Sequence, residues 1–209
     1  SINSCLILIT EFQWLYPNQE EIIHNTFPYI DGGASISRTV RPYPSWLIFK
    51  PAMFLTSFFL IKYWLYNNEI IKFFNPNEKN LKKILIFGIA SAIALTVHSI
   101  FLGIKFDNDL YKLFRRLIMF LFIVFEVVAQ AYLVTTLYTL KNKLDKYINQ
   151  QYLKLKLLLV SILIVVAIIA IPVISWPGNT FKFLKHALEW NYFLGVITFY
   201  LLTHLMWKK

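Results

Sequence analysis

The chain has 209 residues, 57% of them hydrophobic and 15% charged, against roughly 45–50% and about 25% in an ordinary soluble domain, a balance that excludes a conventional water-soluble fold. The formal charge of +10 would suggest nucleic acid in a soluble protein, but the lysines and arginines stand beside long apolar runs, where they meet lipid phosphates and fix orientation instead. A single cysteine, Cys5, excludes a disulfide framework within the chain and a thiolate metal site.

The apolar residues come in blocks, such as 84–104 and 157–175, rather than at the period of a helix with one buried face. This predicts an all-α polytopic transmembrane helical bundle with about five spanning helices. Residues 1–44 read as an N-terminal extramembrane or interfacial region. Within it, residues 5–16 are apolar but too short for a ~20-residue crossing, and they lack the basic leader of a cleavable signal. They read as an interfacial helix or the tail of a longer one, followed by a polar loop with Pro17, Pro28, Gly32 and Gly33.

Residues 45–209 read as the five-helix transmembrane domain. The first span is 45–66, with Trp46, Tyr63, Trp64 and Tyr66 expected as headgroup-level rings near its ends and Lys50 and Lys62 snorkelling from them. A polar linker, 67–83, leads to span two, 84–104, whose Gly88, Ala90, Ser91, Ala92 and Ala94 offer a small-residue face for close packing. Span three, 117–140, follows the linker 105–116, and span four, 157–175, follows the basic stretch 141–156. Trp176-Pro177-Gly178-Asn179 reads as a tight turn before span five, 183–207. Lysines of the linker between spans one and two, of 141–156 and of the C-terminal end outweigh the basic residues at the opposite ends. The expected topology therefore has the N-terminal loop outside and the C-terminus cytoplasmic.

Ionisable groups inside a bilayer are costly, so each is a candidate functional residue. Glu126 lies well inside span three with Gln130 one turn on, and His98 lies towards the outer end of span two. His186 and Glu189 share a face at the start of span five, and His204 is about 27 Å from His186 at helical rise, too far to join it. His98, Glu126, His186 and Glu189 all fall in the outer half of the predicted topology. With Asp31, Arg38, Arg115 and Arg116 at the same side, they outline a polar pocket with a basic mouth suited to a phospholipid headgroup. The competing reading of each intramembrane polar residue is a hydrogen bond to a neighbouring helix. No metal site, cofactor or catalytic serine or phosphate-loop motif is read from the chain.

Three short motifs resemble the DRAM/Frag/Sfk family of six-span membrane proteins. Pro28-Tyr29-Ile30-Asp31-Gly32-Gly33 before the first full span is similar to that family's Pro-Tyr-Ile-Ser-Asp-x-Gly loop, though it lacks the serine. Phe106-Asp107-Asn108 follows the second span as a short polar loop does there, and Ala187-Leu188-Glu189-Trp190 opens the last span as that family's Glu-Trp or Glu-Tyr does. The resemblance implies a lipid-related role, a further spanning helix ahead of the first, and carry-over to Pro28, Tyr29, Asp31, Gly33, Glu189 and Trp190. The expected function is therefore an integral membrane protein that binds or organises lipid. Two alternatives stand beside it: an accessory subunit of a larger membrane complex, and a proton-coupled carrier or membrane enzyme using Glu126 and His98.

Overall fold

The computed structural model describes residues 1–18, 22–24, 26–104, 108–175 and 181–208. Two expected features, the turn at Trp176-Pro177-Gly178-Asn179 and the Phe106-Asp107 part of the polar motif, lie outside the described residues. Among the described residues eight α-helices follow in order: α1 Ile2–Glu11, α2 Ile36–Val40, α3 Ser45–Phe74, α4 Leu81–Phe101, α5 Asp109–Thr139, α6 Lys141–Leu144, α7 Gln150–Ser175 and α8 Lys182–Met206. Among the described residues there is no strand, only an isolated bridge between Ile148 and Trp207. The chain is an all-α bundle, as its blocked hydrophobicity dictates: in hydrocarbon every backbone group must find its partner inside the segment, and a helix does this.

Among the described residues four helices, α3, α4, α5 and α7, are long and apolar enough to cross a membrane. The fifth rod, α8, has 25 residues and packs along α7. Sequential neighbours pack in turn, α3 on α4, α4 on α5, α5 on α7 and α7 on α8. Side chains of α3 and α8 close the ring, through the Tyr63 hydroxyl on Thr203 Oγ1 at 3.2 Å. Short connections make the rods alternate in direction. One end of the bundle therefore holds the N-terminal segment and the starts of α3, α5 and α8, and the other holds the connection after α3, α6 and the C-terminal residues.

Polar side chains cap the starts of α2, α5 and α7. Ser35 accepts the Arg38 amide at 3.2 Å to cap α2, Asn108 accepts the Leu110 amide at 2.9 Å to cap α5, and Asn149 accepts the Gln151 amide at 2.9 Å at the head of α7. Such caps satisfy amides that have no intrahelical acceptor.

Two boundaries differ from the sequence reading, and both matter for the site. Helix α3 continues to Phe74, beyond the expected end at Tyr66, so Tyr63 and Trp64 lie in the bundle rather than at headgroup level. Trp64 is fully buried against Gly88 of α4, where an added Cβ would stand 2.3 Å from the indole. The second difference is in α7, which starts at Gln150, so the stretch expected as a basic linker supplies nearly two helical turns and carries Lys156 into the bundle.

Candidate functional site

At the middle of the bundle Glu126 of α5 is 1% exposed. Its carboxyl accepts from Ser91 Oγ of α4 at 2.7 Å and from Gln130 Nε2, one turn on in α5, at 2.9 Å. A third hydrogen bond comes from the Tyr200 hydroxyl of α8. Three donors from three helices saturate most of what a carboxylate can accept, which is how a charge-bearing group is tolerated away from water. Gln130 is itself fully buried, and its Oε1, like the Tyr192 hydroxyl of α8, meets no partner among the described residues.

Sequence reasoning missed the other half of this network. Lys156 of α7 is 0% exposed; its Nζ donates to Thr203 Oγ1 at 2.8 Å and stands 4.0 Å from the centre of the Phe199 ring. Thr203 in turn meets the Tyr63 hydroxyl, and the Tyr63 ring packs edge-on against Tyr200, centroids 4.9 Å apart. An acid and a base are thus enclosed in one polar core drawn from all five rods. The signal for Lys156 was in the sequence: Leu153, Lys156, Val160 and Leu163 recur at helical spacing, and all four are buried.

The remaining expected residues gather at the N-terminal end. The loop 27–34 is held on α8 by four contacts. His186 Nδ1 donates to the Gly32 carbonyl at 2.8 Å, Trp190 Nε1 to that of Ala34 at 2.8 Å and Asn191 Nδ2 to that of Tyr29 at 2.7 Å. In addition the Tyr29 and Trp190 rings pack edge-on with centroids 5.0 Å apart. Gly32 has φ +61°, and a Cβ there would stand 1.8 Å from the Phe183 carbonyl oxygen, so this approach requires glycine. Glu189 faces the backbone N–H of Ile36. The segments 28–33 and 189–190, which carry the family resemblance, therefore meet in space.

Asp31 serves its own loop. Its carboxyl accepts from Thr26 Oγ1 at 2.8 Å and from the amides of Phe27 and Gly33, each at 2.7 Å. Partial desolvation works to raise its pKa, but the Gly33 and Phe27 amides and the Thr26 hydroxyl outweigh it and hold the carboxyl below the ordinary Asp range.

On the same end Arg41 Nη2 donates to Ser37 Oγ at 2.9 Å, and Arg115 Nη2 approaches that oxygen at 3.5 Å. Arg115 also lies over the Tyr111 ring, its Nε has no acceptor among the described residues, and it is the charged neighbour of His98. His98 Nδ1 likewise has no partner among the described residues. Arg38 and Arg116 are exposed, and Arg38 is a charged neighbour of His186. Among the described residues no hydrogen bond joins His98, Glu126, His186 and Glu189 to one another. They fall into a mid-bundle group around Glu126, a docking group of His186 and Glu189, and His98 beside Arg115. No group of three His, Cys, Asp or Glu side chains among the described residues is placed to hold a metal ion.

No protein-family model, curated protein or solved structure matches the chain.

Proposed function

We propose that this integral membrane bundle binds anionic phospholipid at its N-terminal rim, with Arg115, Arg38 and Ser37 receiving the headgroup phosphate. The observation that carries this reading is Arg115. It is half-buried in the second turn of α5, its Nη2 3.5 Å from the Ser37 Oγ that Arg41 also reaches. A planar, partly exposed guanidinium with Arg38 and Arg116 exposed on the same end matches a phosphate oxygen, and the apolar flank of α5 beside it, Leu113, Leu117 and Phe120, is exposed for the acyl chains. The likeness of the 28–33 loop and Glu189-Trp190 to the DRAM/Frag/Sfk family supports a lipid-related role in the same direction.

Native mass spectrometry of the chain released from nanodiscs containing phosphatidylglycerol and phosphatidylcholine tests the reading. The wild type is expected to retain phosphatidylglycerol preferentially, and Arg115→Ala with Arg38→Ala to lose that preference. Equal retention of both lipids by the wild type, or an unchanged preference in the double variant, would refute it.

On the same reading the rim faces outside and the C-terminus faces the cytoplasm. Lys72, Lys79, Lys82, Lys83, Lys141, Lys143 and Lys146 at the opposite end support this; a tag after the C-terminus that is cleaved only once cells are permeabilised checks it.

A further inference from the structure

The polar groups of α8 are not scattered. His186, Glu189, Tyr192, Tyr200 and Thr203 recur at three- and four-residue steps, interrupted by Val196, so they form one stripe along the rod from the N-terminal end to the last turn. The other rods answer this stripe with chemistry suited to protons. Glu126 is bonded to Tyr200. Lys156 is bonded to Thr203, and Thr203 meets Tyr63. Apart from backbone carbonyls, each group in this sequence of contacts is a carboxyl, a phenol, a hydroxyl, an amine or an imidazole, and each of these can release one proton and accept another. A network that only glued helices together would not need an acid at its centre and an amine near one end. Neutral serine, threonine and asparagine pairs serve that purpose at less desolvation cost.

We propose that this stripe is a proton path through the membrane, with Glu126 and Lys156 as its two holding sites and Tyr200, Tyr63 and Thr203 as the relay between them. In one transfer the Lys156 ammonium gives a proton to Thr203 Oγ1, whose own proton passes to the Tyr63 oxygen once the hydroxyl turns from the Phe199 carbonyl it now bonds at 3.0 Å. The Tyr63 proton passes to Tyr200, and the Tyr200 proton passes to Glu126 Oε1. The sum is one proton moved: Lys156 ends as the neutral amine, Glu126 as the neutral acid, and each hydroxyl is restored. The Tyr63 to Tyr200 step crosses a ring contact rather than a hydrogen bond. This step of the proposal therefore requires a water bridging the two hydroxyls, with the unpartnered Gln130 Oε1 as a further acceptor for it. Towards the N-terminal end, Tyr192, Glu189 and His186 follow on the α8 stripe at three-residue steps, with no hydrogen bond between them among the described residues. The Nδ1–H of His186 is fixed by the Gly32 carbonyl, which leaves Nε2 to exchange protons.

The path rests on residues other than the lipid rim, so its test is separate. The chain is reconstituted into phosphatidylcholine–phosphatidylglycerol vesicles enclosing a pH-sensitive dye, and an inside-negative potassium diffusion potential is imposed with valinomycin. Wild-type vesicles are expected to acidify roughly tenfold faster than protein-free ones, as an intramembrane acid relay would allow. Glu126→Gln and Tyr200→Phe are expected to return the rate to the protein-free level, and Lys156→Met to reduce it several-fold. His204→Gln, exposed on α8, should leave it unchanged. Size-exclusion elution in detergent shows which variants fold. Should Glu126→Gln fail that check, Tyr200→Phe decides, because it keeps the ring and removes only the hydroxyl. Wild-type vesicles no faster than protein-free ones, or a folded Tyr200→Phe as fast as wild type, would overturn the proposal.

Discussion

Asp31 shows how one side chain organises a loop that the bundle then uses. Three donors, the Phe27 and Gly33 amides and the Thr26 hydroxyl, close on its carboxylate, and the loop so shaped lays Gly32 and Tyr29 on α8. Because these bonds hold the folded pKa below the ordinary Asp value, the sign of the pH dependence is fixed. The contribution is complete above the unfolded pKa, near 3.9, and is lost as pH falls through the lower folded value. Asp31→Ala is therefore expected to speed amide hydrogen exchange across 26–34 several-fold at neutral pH. Acidification of the wild type through that lowered folded pKa should reduce the protection of the same amides, read relative to their intrinsic exchange rates. Unchanged exchange in Asp31→Ala would mean that the α8 contacts alone shape the loop. Asp31 was singled out from sequence as a ligand contact. Its type and its place before two glycines were equally the signature of an Asx turn, and only coordinates separate the two readings.

At the level of elements the spans were legible because bilayer length and blocked hydrophobicity leave few alternatives. The ends were not, because what decides them is which face a residue joins. Lys154-Leu155-Lys156 reads as basic linker by composition, yet Lys156 shares the buried face of Leu153 and Val160 while Lys154 is exposed. Tyr63 and Trp64 read as an interfacial belt by type, yet α3 runs on to Phe74 and draws both inward. The small-residue face of α4 was legible and is used: Gly88 lets the Trp64 indole lie against the helix backbone. Gly88→Leu is expected to cost about 1–3 kcal/mol, the usual penalty of overpacking a tight contact, read as a fall in the thermal midpoint in detergent. A compensating Trp64→Ala in the same chain should recover part of it. A Gly88→Leu midpoint equal to wild type would show that α3 and α4 separate freely there.

For the molecule as a whole, two buried apolar layers fill the bundle, beside a smaller cluster of Ile9, Tyr16, Ile22, Ile23 and Ala34 in the N-terminal segment. One, towards the C-terminal end, is built on residues such as Trp64, Leu133, Leu137 and Phe199. The other, towards the N-terminal segment, is built on residues such as Cys5, Phe49, Leu102 and Trp190. Phe122 touches both, and the polar network bonds α3, α4 and α5 to α7 and α8. Apolar contact alone discriminates poorly between helix partners in lipid, since acyl chains are as apolar as leucine. The relative placement of the α3–α4–α5 and α7–α8 groups therefore depends on these few polar bonds. Removing one charged end leaves the other buried without an opposite charge in the network, whereas removing both leaves a neutral polar core. Glu126→Gln and Lys156→Met should each lower stability, and the double variant should lose less than the sum, with a coupling of about 0.5–3 kcal/mol if the two act through one network. The measurement is a double-mutant cycle of unfolding in mixed micelles. Strict additivity would show that the acid and the amine are held independently, each by its own hydroxyl partners, and that the two helix groups are registered by packing instead.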